Sequence, residues 1–171
     1  MAKHLFLIGF MGAGKSHWGL KIANRKNLPF VDLDRRIEDQ TGKSVPQLFQ
    51  ELGSEGFRLE ERQVLQGLAN LPSAIVATGG GTPCFFDNLA WMKQHGRTVY
   101  LKVPLSVLLE RLEPERRNRP LLANLSDAEF PVFVEQLLAD RTPIYLQSEV
   151  VLEYNAEAEF AFIEMLSNIN P

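Results

Sequence analysis

The sequence predicts a single α/β domain built around a parallel β-sheet. Short apolar runs alternate along the chain with longer segments in which apolar residues recur at helical spacing, as they do in successive βα units. The 171 residues, of which 45% are hydrophobic, are enough for one domain with its own core. No internal repeat, low-complexity tract or linker divides the sequence, so we expect one domain over residues 1–171.

The apolar runs predict the strands, and the periodic segments predict the helices. The predicted strands are Leu5–Phe10, Phe30–Leu33, Ala74–Thr78, Thr98–Val103 and Val150–Glu153. The predicted helices are Lys15–Lys26, Arg35–Thr41, Val45–Leu52, Glu55–Ala69, Asn88–His95, Leu105–Leu112, Asp127–Ala139 and Ala156–Ile169. Ser44, followed by a proline in the first helical turn, is typical of an N-cap.

Composition excludes several classes of protein. The net charge of −3 argues against tight binding to duplex nucleic acid. The single cysteine, Cys84, excludes an internal disulfide or a thiolate metal cluster and favours a reducing, cytosolic location. The apolar run Leu5–Ile8 is short and leads into glycines instead of a cleavage site, and no later segment reaches the roughly 18 apolar residues of a membrane span. We therefore expect a soluble cytoplasmic protein with neither a nucleic-acid nor a membrane partner.

The segment Gly9–Ser16 is typical of a phosphate-binding loop. Its sequence, GFMGAGKS, fits the pattern G-x-x-x-x-G-K-[ST] without a mismatch, and it lies between a predicted strand and a predicted helix. Glycines let backbone N–H groups turn toward phosphates, and the helix N-terminus adds positive potential. Lys15 can reach the β- and γ-phosphates, and the Ser16 hydroxyl can ligate Mg²⁺. A glycine turn without a ligand is the alternative.

Two further motifs follow predicted strands, where ligands bind in open α/β sheets. Asp32 and Asp34 are two residues apart, which puts both carboxylates on one side of a strand. One could hold Mg²⁺ while the other orients or deprotonates an acceptor hydroxyl; alternatively, Asp34 is only the N-cap of the next helix. Gly79, Gly80 and Gly81 either allow close approach of the backbone to a ligand or form a flexible turn.

Three arginines become candidates once an anion is expected. Residues 113–125 hold three arginines and two prolines with little periodicity, and they form either a solvated loop or a mobile lid over a bound anion. Arg119 lies in this segment, whereas Arg58 and Arg141 lie elsewhere in the sequence. Such arginines serve a carboxylate and a phosphate equally well, so the residue pattern alone leaves several small-molecule kinases open.

Taken together, these motifs resemble those of the shikimate kinase family. The resemblance rests on GFMGAGKS, DLD, GFR, GGG, RPLL and RTPIY, which stand in the family's order and at about its spacing over nearly the whole chain. It implies ATP-dependent phosphorylation of the 3-hydroxyl of shikimate to shikimate 3-phosphate, in the chorismate and aromatic amino-acid pathway. It also implies a three-layer P-loop fold of the nucleoside-monophosphate-kinase type, with a five-stranded parallel sheet. The substrate-binding region would span about residues 32–62, and the lid about residues 113–125.

The resemblance further implies a role for each matched residue. Those implied to bind ATP are Gly12, Ala13, Gly14, Lys15, Ser16, His17, Arg111 and Arg119. Those implied to bind shikimate are Asp34, Arg58, Gly79, Gly80, Gly81 and Arg141. Mg²⁺ would be held by Ser16 and Asp32, and the catalytic residues would be Lys15, Asp34 and Arg119. Arg111 would pack against adenine, with the Leu152–Ala156 region closing the other side of the base. A monomer is expected, with shikimate and ATP as its partners.

One position departs from the family's pattern. The family usually has threonine after Ser16, whereas this chain has His17. The lost hydroxyl commonly assists an inner phosphate, but the backbone N–H remains, so we expect an altered nucleotide affinity and retained activity. A gluconate-type or nucleotide-type kinase and a non-catalytic nucleotide-binding regulator are the alternatives. The intact Lys15, Ser16, Asp34 and Arg119 argue against the regulator.

Overall fold

The computed structural model describes residues 3–154 and 159–171. In that part of the chain, five parallel strands form one sheet in the order β2-β3-β1-β4-β5. The strands are β1 (His4–Ile8), β2 (Phe30–Asp32), β3 (Ile75–Ala77), β4 (Gly96–Lys102) and β5 (Val150–Glu153). Each lies within one or two residues of a predicted strand, which confirms the predicted α/β fold with a five-stranded parallel sheet.

Helices flank the sheet. They are α1 (Lys15–Lys26), α2 (Leu33–Thr41), α3 (Val45–Gly67), α4 (Asn88–His95), α5 (Leu105–Leu112), α6 (Glu129–Tyr145) and α7 (Glu159–Ser167). Short 3₁₀ helices occur at Leu68–Asn70, Thr82–Cys84 and Glu113–Asn118. Among the helices of the described residues, none has both the length and the apolar character that crossing a membrane requires.

The central strand β1 organises the core and the edge at which the site forms. Every residue of His4–Ile8 is buried, because β1 pairs with β3 on one side and β4 on the other. Parallel strands point their carboxyl ends toward the same edge of the sheet. The segments at the ends of β1, β2 and β3 therefore meet there, and these segments hold the phosphate loop, the acidic pair and the triple glycine.

The structure corrects the boundary between the second strand and its helix. β2 ends at Asp32 and α2 begins at Leu33, whereas the pattern predicted a strand through Leu33 and a helix from Arg35. Asp32 is the N-cap of α2, since its carboxylate accepts a hydrogen bond from the backbone N–H of Arg35 at 3.2 Å. The alternative that Asp34 caps the helix is wrong, and so is the strand-alternation argument, because Asp34 lies in the first helical turn.

The third helix replaces two predicted helices with a single kinked one. α3 runs from Val45 to Gly67, and its break falls at Gly53, which adopts φ 69° and ψ −179° inside the helix. The predicted cap at its start is confirmed. Ser44 accepts a hydrogen bond from the backbone N–H of Gln47, whose side chain accepts from the N–H of Ser44 at 2.8 Å.

The sixth helix is longer than predicted and carries a site residue. The pattern ended the helix at Ala139, but α6 continues through Pro143 to Tyr145. Pro143 has no N–H to donate to the carbonyl four residues earlier. The Thr142 hydroxyl donates to the adjacent carbonyl of Leu138 at 2.6 Å, within the same turn. Arg141 is therefore held on a helix and not in a loop.

Two other predicted segments differ in their bounds. The last predicted helix, Ala156–Ile169, is observed as Glu159–Ser167, and residues 156–158 lie outside the described part of the chain. The arginine-rich segment 113–125 begins with the 3₁₀ helix Glu113–Asn118 and continues as turns, so it is more regular than its sequence pattern indicated.

Candidate active site

Two adjoining cavities lie at the carboxyl edge of the sheet. The larger, of about 600 Å³, is lined by the phosphate loop and is called the phosphate-loop cavity. The smaller, of about 260 Å³, is lined by Arg58 and Arg141 and is called the arginine cavity. Both cavities are lined by Met11, Asp34, Glu38, Gly79, Gly80 and Arg119. Two ligands bound side by side would therefore meet at this shared wall.

The predicted site residues lie around these two cavities. Those that line the phosphate-loop cavity are Gly12, Gly14, Lys15, Ser16, His17, Asp32, Asp34, Gly79, Gly80, Arg111 and Arg119. Those that line the arginine cavity are Asp34, Arg58, Gly79, Gly80, Gly81, Arg119 and Arg141. Ala13 is buried and lines neither cavity.

The phosphate loop leaves the start of α1 open to an anion. Gly12 has φ 78° and Gly14 has φ 86°, a left-handed conformation that any residue with a Cβ adopts only with strain. Gly14 is the N-cap of α1, and no side chain caps the helix there. The first N–H groups of α1 and the positive end of its dipole are thus directed at the phosphate-loop cavity.

Lys15 is folded back onto the loop that precedes it. Its ammonium group is buried and donates hydrogen bonds to the carbonyls of Gly9 and Phe10, both at 2.8 Å. Burial lowers the pKa of Lys15 to about 8, although the nearby Asp34 carboxylate acts in the opposite direction. A buried cation satisfied only by neutral carbonyls gains from a phosphate placed in the same cavity.

Two oxygen ligands suited to a hard cation lie together beside Lys15. The Ser16 hydroxyl donates a hydrogen bond to the Asp32 carboxylate, whose other oxygen caps α2. The cap fixes the carboxylate, and the hydrogen bond holds the hydroxyl against it. The donor set of one carboxylate and one hydroxyl fits Mg²⁺, which takes one or two carboxylates and completes its shell with waters and phosphate oxygens.

His17 and Arg111 occupy other parts of the phosphate-loop cavity. The exposed His17 ring packs edge-on against Trp18, with centroids 4.9 Å apart. Arg111 donates to the carbonyl of Gly12 at 3.2 Å, and its guanidinium lies 4.7 Å from the centroid of the Tyr154 ring. The predicted closing segment, residues 152–156, continues past Tyr154 into residues 155 and 156, which lie outside the described part of the chain.

Asp34 lies on the wall that the two cavities share. Burial raises its pKa to about 6, and the neighbouring carboxylates of Glu61 and Asp32 act in the same direction. Lys15 and Arg58 oppose this rise without cancelling it. A carboxyl group that titrates this close to neutrality can accept a proton or orient a hydroxyl, depending on its state.

Two buried arginines reach the smaller cavity from different helices. Arg58 of α3 pairs with Glu61 at 2.7 Å, and its guanidinium lies 4.4 Å from the centroid of the Phe85 ring. Arg141 of α6 has a buried Nη1 without a hydrogen-bond partner, and its guanidinium lies 5.8 Å from the Phe10 ring centroid. A buried guanidinium donor left unpaired is costly, so its presence favours an anionic ligand such as a carboxylate.

Glu61 is a site residue that sequence reasoning missed. It is fully buried, pairs with Arg58 and accepts a hydrogen bond from the Thr82 hydroxyl at 2.6 Å. The signal was present, since residues three apart on a helix lie on one face and Glu61 follows Arg58 at that spacing.

The triple glycine provides space for side chains and not backbone freedom. None of the three glycines has a left-handed φ. A Cβ on Gly79 would lie 2.9 Å from a carboxylate oxygen of Glu61, and one on Gly81 would lie 2.5 Å from Arg58 Nη2. The sequence predicted that the glycine backbone lets a ligand come close. The structure instead shows that the side chains of Glu61 and Arg58 lie close to this backbone.

Arg119 lies where both cavities meet and is paired within its own segment. Its Nη2 donates to Glu115 at 2.7 Å, one helical turn earlier, and both residues line the phosphate-loop cavity. A guanidinium at this boundary can reach a group in transfer between the two cavities.

The phosphate loop opens a helix beside a buried lysine, and the adjoining arginine cavity has the size of a small molecule. Together with the parallel sheet, these features define a phosphate-loop kinase of the nucleoside-monophosphate-kinase type. The family model described as shikimate kinase matches residues 11–170, nearly the whole length. The chain belongs to the shikimate kinase family.

Individual relatives agree with this assignment. The chain is 47% identical over 145 residues to a shikimate kinase of Phocaeicola vulgatus, covering 85% of this chain and 83% of the relative. The crystal structure of shikimate kinase from Bacteroides thetaiotaomicron matches with a TM-score of 0.87 and 38% identity, covering 96% of each chain. Shikimate kinase from Acinetobacter baumannii in complex with shikimate matches with a TM-score of 0.87 and 33% identity, over 97% of this chain and 91% of that one.

Proposed function

We propose that this protein transfers the γ-phosphoryl group of ATP to the 3-hydroxyl of shikimate and so forms shikimate 3-phosphate for aromatic amino-acid synthesis. The observation that carries the acceptor assignment is the arginine cavity, in which two buried arginines adjoin a wall bearing Asp34. Shikimate carries a carboxylate for the arginines and ring hydroxyls for Asp34. Membership of the shikimate kinase family supports the same acceptor.

ATP is held by the phosphate loop and the start of α1. The phosphates accept hydrogen bonds from the open N–H groups of residue 12 and residues 14–16, and Lys15 exchanges its two carbonyl partners for phosphate oxygens. Because Lys15 is buried, its charge acts through little solvent on the negative charge that develops in transfer. Arg111 lies farther along the same cavity and packs against the base.

The acceptor is oriented from two sides. Arg58 and Arg141 bind its carboxylate, and Asp34 binds the hydroxyl that faces the phosphate-loop cavity. Phosphoryl transfer through a loose transition state needs little help from a base, so orientation of the hydroxyl is the main role of Asp34. Arg119, at the shared wall, neutralises charge on the group in transfer.

Ser16 and Asp32 are the residues that would hold Mg²⁺. When bound, the ion neutralises phosphate charge and fixes the phosphate oxygens. Ser16 would give up its hydrogen bond to Asp32, while Asp32 keeps its orientation through the helix cap. The proposal also includes a monomeric protein in the cytoplasm, where a single cysteine, Cys84, is in keeping with a reducing environment.

The direct test is ADP release from ATP and Mg²⁺ in the presence of shikimate, gluconate or AMP, with ³¹P NMR of the product. We expect turnover with shikimate and a phosphate ester at its 3-hydroxyl. Preference for gluconate or AMP would show that shikimate is not the acceptor. Nucleotide binding without turnover on any acceptor would favour a non-catalytic regulator.

The carboxylate assignment has a sharper test in the two arginines. Arg58→Ala and Arg141→Ala should each lower kcat/KM for shikimate by an amount equivalent to about 2–4 kcal/mol, because each leaves a buried charge without its partner. The losses should not add, since both arginines act on one group. Arg62→Ala is the matched control on α3, because Arg62 pairs with Asp87 at 2.7 Å and lines neither cavity.

The ligand can be altered in the same way. A shikimate analogue with a neutral amide in place of the carboxylate should be a poor substrate of the wild type and should lose little more in the two arginine variants. KM for ATP, measured in the same assays, should stay within about twofold. An amide phosphorylated as well as shikimate would refute the carboxylate assignment.

A further inference from the structure

Tyr145 is a buried tyrosine that connects α6 to the triple glycine. It is the last residue of α6 and is fully buried. It follows Arg141 by four residues, so both side chains lie on the same face of the helix. The Tyr145 hydroxyl donates a hydrogen bond of 2.5 Å to the carbonyl of Gly80, a residue 65 positions earlier in the sequence.

The Gly80 carbonyl is satisfied differently from its two neighbours. The carbonyl of Gly79 accepts from the backbone N–H of Thr82 at 3.2 Å, and that of Gly81 accepts from the N–H of Cys84 at 2.8 Å. Both bonds are local and belong to the turn that follows β3. The bond to the Gly80 carbonyl instead comes from a side chain of another helix, so the direction of this carbonyl depends on where α6 lies.

Gly80 is also closely surrounded. A Cβ at this position would lie 3.0 Å from the backbone nitrogen of Met11 in the phosphate loop and 3.5 Å from Arg141 Nη1. The space that a Gly80 side chain would fill is therefore bordered by the phosphate loop and by the arginine that α6 supplies. Since a trans peptide directs its N–H opposite to its C=O, holding the Gly80 carbonyl also sets the direction of the Gly81 N–H. Both glycines line the arginine cavity.

We propose that Tyr145 is a positioning residue for the acceptor: its hydroxyl fixes the Gly80–Gly81 peptide, and together with Arg141 it sets the arginine cavity for shikimate. This inference rests on the proposed function for the identity of the acceptor. Tyr145 lines neither cavity, so it acts on the acceptor through Gly80 and through Arg141, with which its hydroxyl also interacts.

The tyrosine is chemically suited to act as a permanent donor. Burial raises the pKa of the Tyr145 hydroxyl far above its ordinary value, and the nearby Arg141 only partly opposes this rise. The hydroxyl stays protonated over the whole working range of the enzyme. A carbonyl accepts hydrogen bonds and cannot donate them, so the bond can run in only one direction.

Tyr145→Phe is the first test, because it removes one oxygen and keeps the ring in the core. Loss of the bond leaves the Gly80 carbonyl without its donor, and we expect KM for shikimate to rise about 5- to 30-fold with KM for ATP within twofold. Tyr100→Phe is the matched control. Tyr100 is also buried, its ring lies 5.0 Å from that of Tyr145, and its hydroxyl interacts with Thr142 instead of a glycine. The control should keep the wild-type KM for both substrates.

A second measurement uses the ligand-free protein and needs no substrate. Amide hydrogen exchange at Gly81, followed by NMR, should accelerate about tenfold in Tyr145→Phe and stay at the wild-type rate in Tyr100→Phe, because an unheld peptide opens more often. In the wild type, the Tyr145 hydroxyl proton should itself exchange slowly. A rapidly exchanging hydroxyl proton would overturn the proposal without any variant.

Three further results would also overturn it. Unchanged glycine exchange in Tyr145→Phe would show that the bond does not hold the peptide. Faster exchange with an unchanged shikimate KM, or an equal rise in both KM values, would make Tyr145 a structural residue only. If the wild type failed to phosphorylate shikimate, the proposed function would fail in that measurement alone, while the exchange data would still decide whether Tyr145 fixes the glycine peptide.

Discussion

The Asp34 carboxyl group should lower the stability of the ligand-free enzyme, and replacing it with an amide should raise that stability. Asp34 lies near two other carboxylates, Glu61 and Asp32, and is partly shielded from water. Asp34→Asn keeps the size and shape of the side chain and removes its charge. We expect a more stable protein at neutral pH that has lost about 10²-fold or more in kcat, because the amide cannot orient the acceptor hydroxyl as a carboxylate does.

The magnitude follows from the pKa. A shift of one pKa unit corresponds to 1.36 kcal/mol, so a rise from 3.8 to about 6 makes the folded state at neutral pH up to about 3 kcal/mol less stable than with an unshifted Asp34. Solvent at the mouth of the cavity screens part of this cost, and Lys15 loses a favourable carboxylate in the variant. The net gain should therefore be about 1–2 kcal/mol, which is about 2–8 °C in Tm for a domain of this size.

The pH dependence gives the prediction its sign. The folded state binds the Asp34 proton more tightly than the unfolded state does, so this proton adds to the free energy of unfolding of the wild type. The contribution is complete below pH 3.8 and is lost as pH rises through about 6. The variant has no such proton. Its advantage should be largest above pH 7 and should shrink as pH falls through 6 toward 5.

Urea unfolding of the ligand-free proteins at pH 5, 6 and 7.5 measures this difference directly. Asp39→Asn, an exposed aspartate on the same helix that pairs with Arg35, is the matched control and should stay within about 0.5 kcal/mol of the wild type. An Asp34→Asn protein that is less stable than the wild type at pH 7.5, or whose advantage is the same at pH 5, would show that the Asp34 charge does not destabilise the folded state.

Three other substitutions test the phosphate-loop cavity. Lys15→Met should fold yet lose about 10²-fold or more in kcat, since the developing charge is no longer neutralised. Lys21→Met, on the same helix, is its control. Wild-type turnover in a folded Lys15 variant would contradict the role assigned to Lys15. Arg119→Ala should lower kcat roughly 10³-fold with little change in KM for shikimate, and Arg117→Ala is its control. A rise confined to KM for shikimate would show that Arg119 binds the acceptor instead. His17→Thr should change KM for ATP by a few-fold and leave KM for shikimate alone, and equal ATP binding by both proteins would show that this position is neutral.

The sequence predicted the elements of the site better than their contacts. The phosphate loop, the acidic pair and the triple glycine each follow a run of apolar residues, and such runs form parallel strands because both faces are covered. Once the strands are parallel, their carboxyl ends share one edge, so the meeting of the three motifs could be predicted without knowing the strand order. The residue pattern did not predict the order β2-β3-β1-β4-β5, because pairing between distant strands leaves no periodicity in either of them.

Other features depend on neighbours that local sequence does not identify. Asp32 and Asp34 look equivalent in Asp-Leu-Asp, and only the start of α2 makes Asp32 the cap and directs Asp34 to the cavities. The helix carrying Arg141 was predicted to end at Ala139, whereas it continues through Pro143, and Thr142 donates to the Leu138 carbonyl within that turn. In each case a hydrogen bond from or to a side chain accompanies the structure that formed, a helix cap at Asp32 and a bond within the helix at Thr142.

Burial, together with the charges of the site, perturbs the pKa values of Lys15 and Asp34 before any ligand arrives. Burial lowers the pKa of Lys15, with Arg119 and Arg141 acting in the same direction and Asp34 opposing them. Burial raises the pKa of Asp34, and two neighbouring carboxylates act in the same direction. Basic groups thus lie near Lys15, and acidic groups lie near Asp34. A bound ligand of opposite charge would favour the charged form of either group. Anionic phosphates and an acceptor carboxylate supply negative charge to the basic groups. Ligand binding should therefore raise the Lys15 pKa, so that the lysine is fully charged when the phosphoryl group moves.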